Sequence, residues 1–187
     1  VPGWTGSKED FTALLPLLAA AGFNATAYDQ RGQYETPGTP DDDYTLDGFA
    51  ADALAVSTAV TPTPSHLLGH SFGGLVAQQA AVADPSAWHS LSLLCTGPGA
   101  LGDTPGRPLT ALVQAIGAMP MEQLHAMRPE DPTLAPEISA FLLKRFTANS
   151  EASLKAITQL LIDAPDVVDE VVSTRLPCWV GRGADDD

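Results

Sequence analysis

Apolar residues along this 187-residue chain fall into short continuous runs that alternate with stripes at helical spacing. Phe11, Leu14, Leu15 and Leu18 form the first stripe, and Gly22 closes it. Ser7, with Asp10 three residues on, reads as a capping box ahead of that stripe. Pro16 lacks a backbone donor and crowds the preceding turn, so it should kink the helix or delay its regular start. Phe23 to Tyr28 reads as a strand, followed by a polar loop from Asp29 to about Tyr44. Leu46, Phe49, Ala50, Ala53 and Val60 then mark one helical face, which Thr61-Pro62 breaks.

The next stretch is shorter-ranged. His66 to Gly69 suits a buried strand, and residues 72–83, rich in Ala, Leu and Val, suit a helix packed on most sides. Asp84-Pro85 ends that helix, and Leu91 to Cys95 reads as a second buried strand. From Pro105 to Ser173 helical stripes dominate, with starts at Pro108, Pro136 and Ser150. Pro177 to Gly181 returns to strand character. Strands alternating with helices predict a mostly parallel central sheet with helices on both faces. The helical block is expected to be a cap inserted above that sheet.

Composition narrows the possible functions. With 44% hydrophobic and 17% charged residues the chain is globular. Nine basic against 23 acidic residues give a net charge of −14. Such a surface repels phosphate backbones and anionic lipid, so neither nucleic acid nor membrane is expected as a partner. No apolar run approaches the length of a spanning helix, and no basic leader precedes an apolar core. Cys95 and Cys178, in apolar strand-like settings, read as buried free thiols, which fits a reducing, cytoplasmic location. The chain starts at Val1 without Met and stops at Asp187 after an apolar run, so both ends are expected to be cut.

The chemistry is concentrated in Gly69-His70-Ser71-Phe72-Gly73-Gly74, a match to G-x-S-x-G between a short strand and a small-residue helix. Given 16 glycines in 187 residues, chance supplies roughly 0.08 such matches, and requiring Gly74 lowers that further. A strand that reverses sharply into a helix leaves its turning residue exposed at the carboxyl edge of the sheet. Glycines two positions to either side let the backbones approach. Ser71 would project its hydroxyl there, and the Phe72 amide, at a helix N-terminus, would face a developing oxyanion.

With these residues the chain resembles the α/β-hydrolase superfamily, in its branch of small, capped esterase-like proteins. Pro2-Gly3-Trp4 stands where that family has His-Gly-x, Asp29-Gln-Arg-Gly32 matches its D-x-R-G turn, and Gly183-Ala-Asp-Asp186 matches its G-x-x-D. The resemblance implies a hydrolase core over residues 1–98 and 174–187 and a cap over 99–173, the core truncated at both ends. It also implies Ser71 as nucleophile, Asp186 as triad acid and the backbone amides of Trp4 and Phe72 as oxyanion donors. Gly69, Gly73 and Gly74 are the elbow glycines. The ring of Trp4 would wall the acyl pocket or simply pack. Arg31 is expected to tie down its own loop.

The base has no such match. Family order places a histidine some distance beyond the acid. His66, His70 and His89 read as structural or exposed, and His125 lies in the helical block. A serine without a proton acceptor in reach stays close to an ordinary alcohol, so the chain as given should be inactive or nearly so. A serine at the elbow implies an acyl-enzyme and a carboxylic ester or related acyl substrate. The acidic Asp41-Asp-Asp43 loop disfavours polyanions, leaving a small neutral acyl ester as the preferred substrate. The alternatives are a non-catalytic ligand-binding member of the same fold and a cofactor-free perhydrolase or carbon–carbon hydrolase. No motif for a nucleotide, dinucleotide, zinc or calcium is present, so no cofactor or metal is expected. Leu112, Ile116, Met119, Met121 and Met127 are expected to pack onto the sheet or to face substrate.

Overall fold

The computed structural model describes residues 1–129 and 131–184. Within them β1 (Ser65–His70), β2 (Trp88–Leu94) and β3 (Cys178–Gly181) form one parallel sheet in the order β1-β2-β3. Leu67 of β1 pairs with Leu91 of β2, and Gly69 with Leu93, which puts all four buried residues on one face of the pleat. The main chain of Val1 bonds the opposite edge of β1. Its N-terminal nitrogen donates to the Leu68 carbonyl (2.6 Å), and its carbonyl accepts from the His70 amide (3.1 Å).

Two helices stay near the N-terminus. A 3₁₀ turn over Lys8–Phe11 carries the predicted Ser7/Asp10 capping box, and α1 begins only at Leu15 and ends at Ala20. Pro16 sits in the first turn of α1, where its missing N–H costs nothing. α2 (Leu46–Val60) is capped by the Thr45 hydroxyl, and α3 (Phe72–Ala83) runs from the Ser71 turn. Nine of the twelve residues of α3 are buried, because it is enclosed by α2, the sheet and α8 (Val168–Thr174). Ala50, Ala53, Ala77, Ala80 and Ala81 let these helices approach closely over Leu67, Leu91 and Leu93, and Val171 of α8 completes the cluster.

The helical block consists of α4 (Leu109–Ala115), α5 (Met121–Ala126), α6 (Pro136–Thr147) and α7 (Glu151–Asp163), ahead of α8. Leu109, Ile157 and Leu161 pack onto Phe49, Phe72 and Leu75 of α2 and α3. A second cluster gathers Ile116, Met121, Leu124, Phe146 and Leu154, with Trp4, Leu112 and Met119 at its edge. Leu112, Ile116, Met119 and Met121 therefore pack with other helical residues and Trp4 rather than with the strands, while Met127 is 68% exposed.

Two expectations are corrected. Phe23 to Tyr28 forms no strand: no strand among the described residues pairs with it, and Phe23 lays its ring edge-on against His66. Cys95 and Cys178 are exposed rather than buried. Cys95 sits past the end of β2 at φ 49°, and Cys178 lies on β3, whose first three residues are exposed. No helix among the described residues is long and apolar enough to cross a membrane.

Candidate active site

Ser71 occupies the single-residue turn between β1 and α3 with φ 52° and ψ −122°. A side-chain-bearing residue holds this conformation only when its surroundings enforce it. Here the Ser71 amide donates to the Leu94 carbonyl of β2 (2.9 Å), and the Ser71 carbonyl accepts from the Gly74 amide (2.8 Å). Both sides of the peptide are thereby fixed, and the half-buried side chain is left at the carboxyl edge of the sheet.

Each elbow glycine is crowded by a close neighbour, which is backbone at Gly69 and Gly73 and a side chain at Gly74. A Cβ on Gly69 would lie 2.2 Å from the Gly73 carbonyl oxygen, and one on Gly73 would lie 2.3 Å from that of Val1. A Cβ on Gly74 would meet the Thr96 side chain at 2.4 Å. The turn from strand to helix is thus wedged between its own backbone, the Val1-Pro2 segment and the end of β2.

The Val1 to Trp4 segment runs alongside the same edge. A Cβ on Gly3 would stand 3.1 Å from the Ser71 Cβ, so the backbone ahead of Trp4 abuts the serine. Neither the Trp4 amide nor the fully buried Phe72 amide donates to any described residue. The Phe72 amide lies in the first turn of α3, whose N-terminal amides carry a partial positive charge. The Gly3 carbonyl faces elsewhere, accepting from the Gly6 amide (3.0 Å) and from Gln33 Nε2 (3.3 Å).

The Trp4 side chain is built into the helical block. Its Nε1 donates to the Thr158 hydroxyl of α7 (3.0 Å), its ring meets Phe146 of α6 edge-on, and the Arg128 guanidinium lies over it at 5.7 Å. Burial beside the Arg145 charge holds the Arg128 guanidinium below its ordinary pKa. Arg31 pairs through Nε and Nη2 with Asp52 of α2, which raises its pKa, and also reaches the Asp43 and Gly48 carbonyls. It thus pins the D-x-R-G loop to the next helix. Asp29 accepts from the Lys8 amide and from Nζ, each at 2.7 Å, which ties that loop to the N-terminal turn. Asp42 and Asp43 are held below the usual carboxylate range by hydrogen bonds from Thr39 and Thr45.

Among the described residues, none hydrogen-bonds the Ser71 hydroxyl. His66 Nδ1 shares a hydrogen bond with Ser90 (2.7 Å) and its ring lies tilted against that of the exposed His89, at the far end of β1 from Ser71. His125 packs edge-on against Phe146, and burial together with Arg128 lowers its pKa. Asp186 lies outside the described residues. A separate cavity of about 450 Å³ between the Gly38–Pro40 loop and α7 is lined by neither Ser71 nor Trp4. Among the described residues no cluster of His, Cys, Asp or Glu is arranged to hold a metal. Sequence reasoning missed Thr158 and Gln33. Neither carries a motif, and only their partners reveal them.

Comparison with known proteins agrees with this geometry. Residues 1–151 match the family model described as the alpha/beta hydrolase fold. A Variovorax paradoxus protein bearing the name carbamate hydrolase RutD is 36% identical over 92 residues, which is 49% of this chain and 35% of its own. The pimeloyl-[acyl-carrier protein] methyl ester esterase of Aeromonas hydrophila is 31% identical over 96 residues, covering 51% of this chain and 36% of its own. The matched segments thus span about a third of these curated relatives. A carboxylesterase structure from the thaumarchaeon Nitrososphaera gargenis superposes with a TM-score of 0.79 at 18% identity, covering 99% of this chain and 71% of that one. An esterase from Exiguobacterium antarcticum gives 0.76 at 18% identity, with 96% and 70% covered. A parallel sheet, a strained serine between strand and helix, and a family model matching most of the sequence converge on one assignment: the chain belongs to the α/β-hydrolase fold family.

Proposed function

We propose that this is the serine hydrolase unit of a protein acting on a carboxylic ester or related acyl compound, with Ser71 as the nucleophile. The observation that carries the reading is Ser71 at φ 52° on a turn whose three glycines admit no side chain. In the reaction the Ser71 oxygen attacks the substrate carbonyl, its proton passes to the departing alcohol, and water then releases the acid. The Trp4 and Phe72 amides take up the charge on the tetrahedral carbonyl oxygen. Asp186 serves as the triad acid. Residues 1–98 and 174–187 form the core and 99–173 the cap that shapes the acyl pocket. A net charge of −14 favours a small neutral acyl group over a polyanion.

In this reading the Ser71 hydroxyl lacks the proton acceptor that makes serine a fast nucleophile, which is supported by the absence of any histidine hydrogen-bonded to it among the described residues. Incubation with an activated aryl ester, followed by intact-protein mass measurement, tests both statements. The expected result is slow acylation that stops at one adduct on Ser71 and vanishes in Ser71→Ala. Sustained turnover would contradict the missing base. Absence of any adduct would favour a non-catalytic ligand-binding protein of the same fold.

A further inference from the structure

We infer that Gln33, backed by Gln30, is a positioning residue that aims the Trp4 amide at the oxygen of the adduct on Ser71. The inference rests on the reading of Trp4 and Phe72 as the oxyanion donors. All described peptides are trans, so the N–H of Trp4 points opposite to the carbonyl of Gly3 in the same peptide plane. Whatever holds that carbonyl therefore sets the direction of the amide.

Two donors hold it. One is the Gly6 amide, which closes a turn through Thr5 at φ 54°. A β-branched residue does not choose that conformation by itself, so the turn needs a hold from outside. Gln33 Nε2 supplies it, donating to the Gly3 carbonyl at 3.3 Å. Gln30 Nε2 donates to the preceding carbonyl, that of Pro2 (3.0 Å), and to Gln33 Oε1 (3.3 Å), which orients the Gln33 amide group. Both glutamines are 1% exposed. Burying two primary amides is costly, and Gln30 Oε1 is left without a partner among the described residues. The donors of this pair go to the two carbonyls just ahead of Trp4 and to each other, so they fix two successive peptide planes, the second of which carries the Trp4 N–H.

The test is a titration of the ¹⁵N-labelled 187-residue chain with methylphosphonate, a tetrahedral anion. The amide resonances of Trp4 and Phe72 are followed. In the wild type both move saturably and together. In Gln33→Met, which keeps the length and loses the donor, the shared apparent Kd weakens about tenfold, the loss expected for one buried hydrogen bond, and the shift at saturation shrinks at Trp4 but not at Phe72. The dispersion of the remaining spectrum is preserved, and Gln33→His, which restores an N–H, recovers most of the response. A merely structural glutamine would not single out the Trp4 amide in this way. If Gln33→Met titrates like the wild type, the positioning role is wrong while the oxyanion pair stands. If neither amide responds in the wild type, the oxyanion pair fails and this inference with it. Should Gln33→Met not fold, Gln30→Met makes the same comparison. A roughly threefold weakening of the shared apparent Kd is then expected from the loosened Gln33, and an unchanged response overturns the proposal.

Discussion

The Ser71 elbow and the helical block obey different rules. At the elbow, backbone touches backbone, and an added methylene has no room at Gly69 or Gly73. In the block, side chains meet side chains, Met127 is 68% exposed, and Gly106 has open space around it. Tight backbone contact fixes residue identity at each position. Side-chain packing fixes only apolar character and approximate size. The machinery that holds the serine is therefore specified far more sharply than the cover above it.

The largest test of that contrast is a glycine pair. Gly69→Ala should destabilise the chain by about 4 kcal/mol or abolish folding, whereas Gly106→Ala should stay within about 0.5 kcal/mol. Urea unfolding measures both, and similar costs would break the comparison. Next in size, Phe146→Ala should cost about 3 kcal/mol by emptying the cluster of Ile116, Met121 and Leu124. Hydrogen exchange should then rise in α5 and α6 but not in α3; equal acceleration in α3 would show that block and elbow form one cooperative unit.

A smaller effect is expected at the loop anchor. Asp52→Asn leaves Arg31 with its two carbonyl acceptors. With side-chain exposures of 24% and 31% the pair is well screened, so the loss should be about 1 kcal/mol or less in urea unfolding. The smallest effect is electrostatic. The His125 pKa is lower in the folded chain than its ordinary value of 6.5. Below that value the unfolded state binds more protons, so stability should fall as pH drops through about 6.5 and be indifferent to this group above it. Urea midpoints on either side of that pH should differ slightly more in the wild type than in His125→Gln.

The same contrast explains what the sequence alone could reveal. The glycine spacing around Ser71 was legible because the steric demand repeats at fixed offsets. The ends of α2 and α3, the Ser7/Asp10 box and the late start imposed by Pro16 were legible because caps and prolines act within one turn. A strand, by contrast, exists only with a partner. Phe23–Tyr28 has β-forming residues but no strand beside it to pair with among the described residues. The exposure of Cys95 and Cys178 is hidden from the sequence because apolar neighbours do not say where β2 stops or that β3 lies at the end of the described sheet. The roles of Trp4, Thr158 and Gln33 depend on contacts between residues as much as 154 positions apart, which no local pattern encodes.

The central claim is that Ser71 is the one serine the fold makes chemically distinct. Treating the folded chain with a fluorophosphonate probe and mapping the adduct by peptide mass tests this most directly. The account predicts slow modification, as the missing proton acceptor requires, that still favours Ser71 over the other serines and is lost at that site after denaturation. Labelling spread evenly over the serines, or unchanged by unfolding, would contradict it.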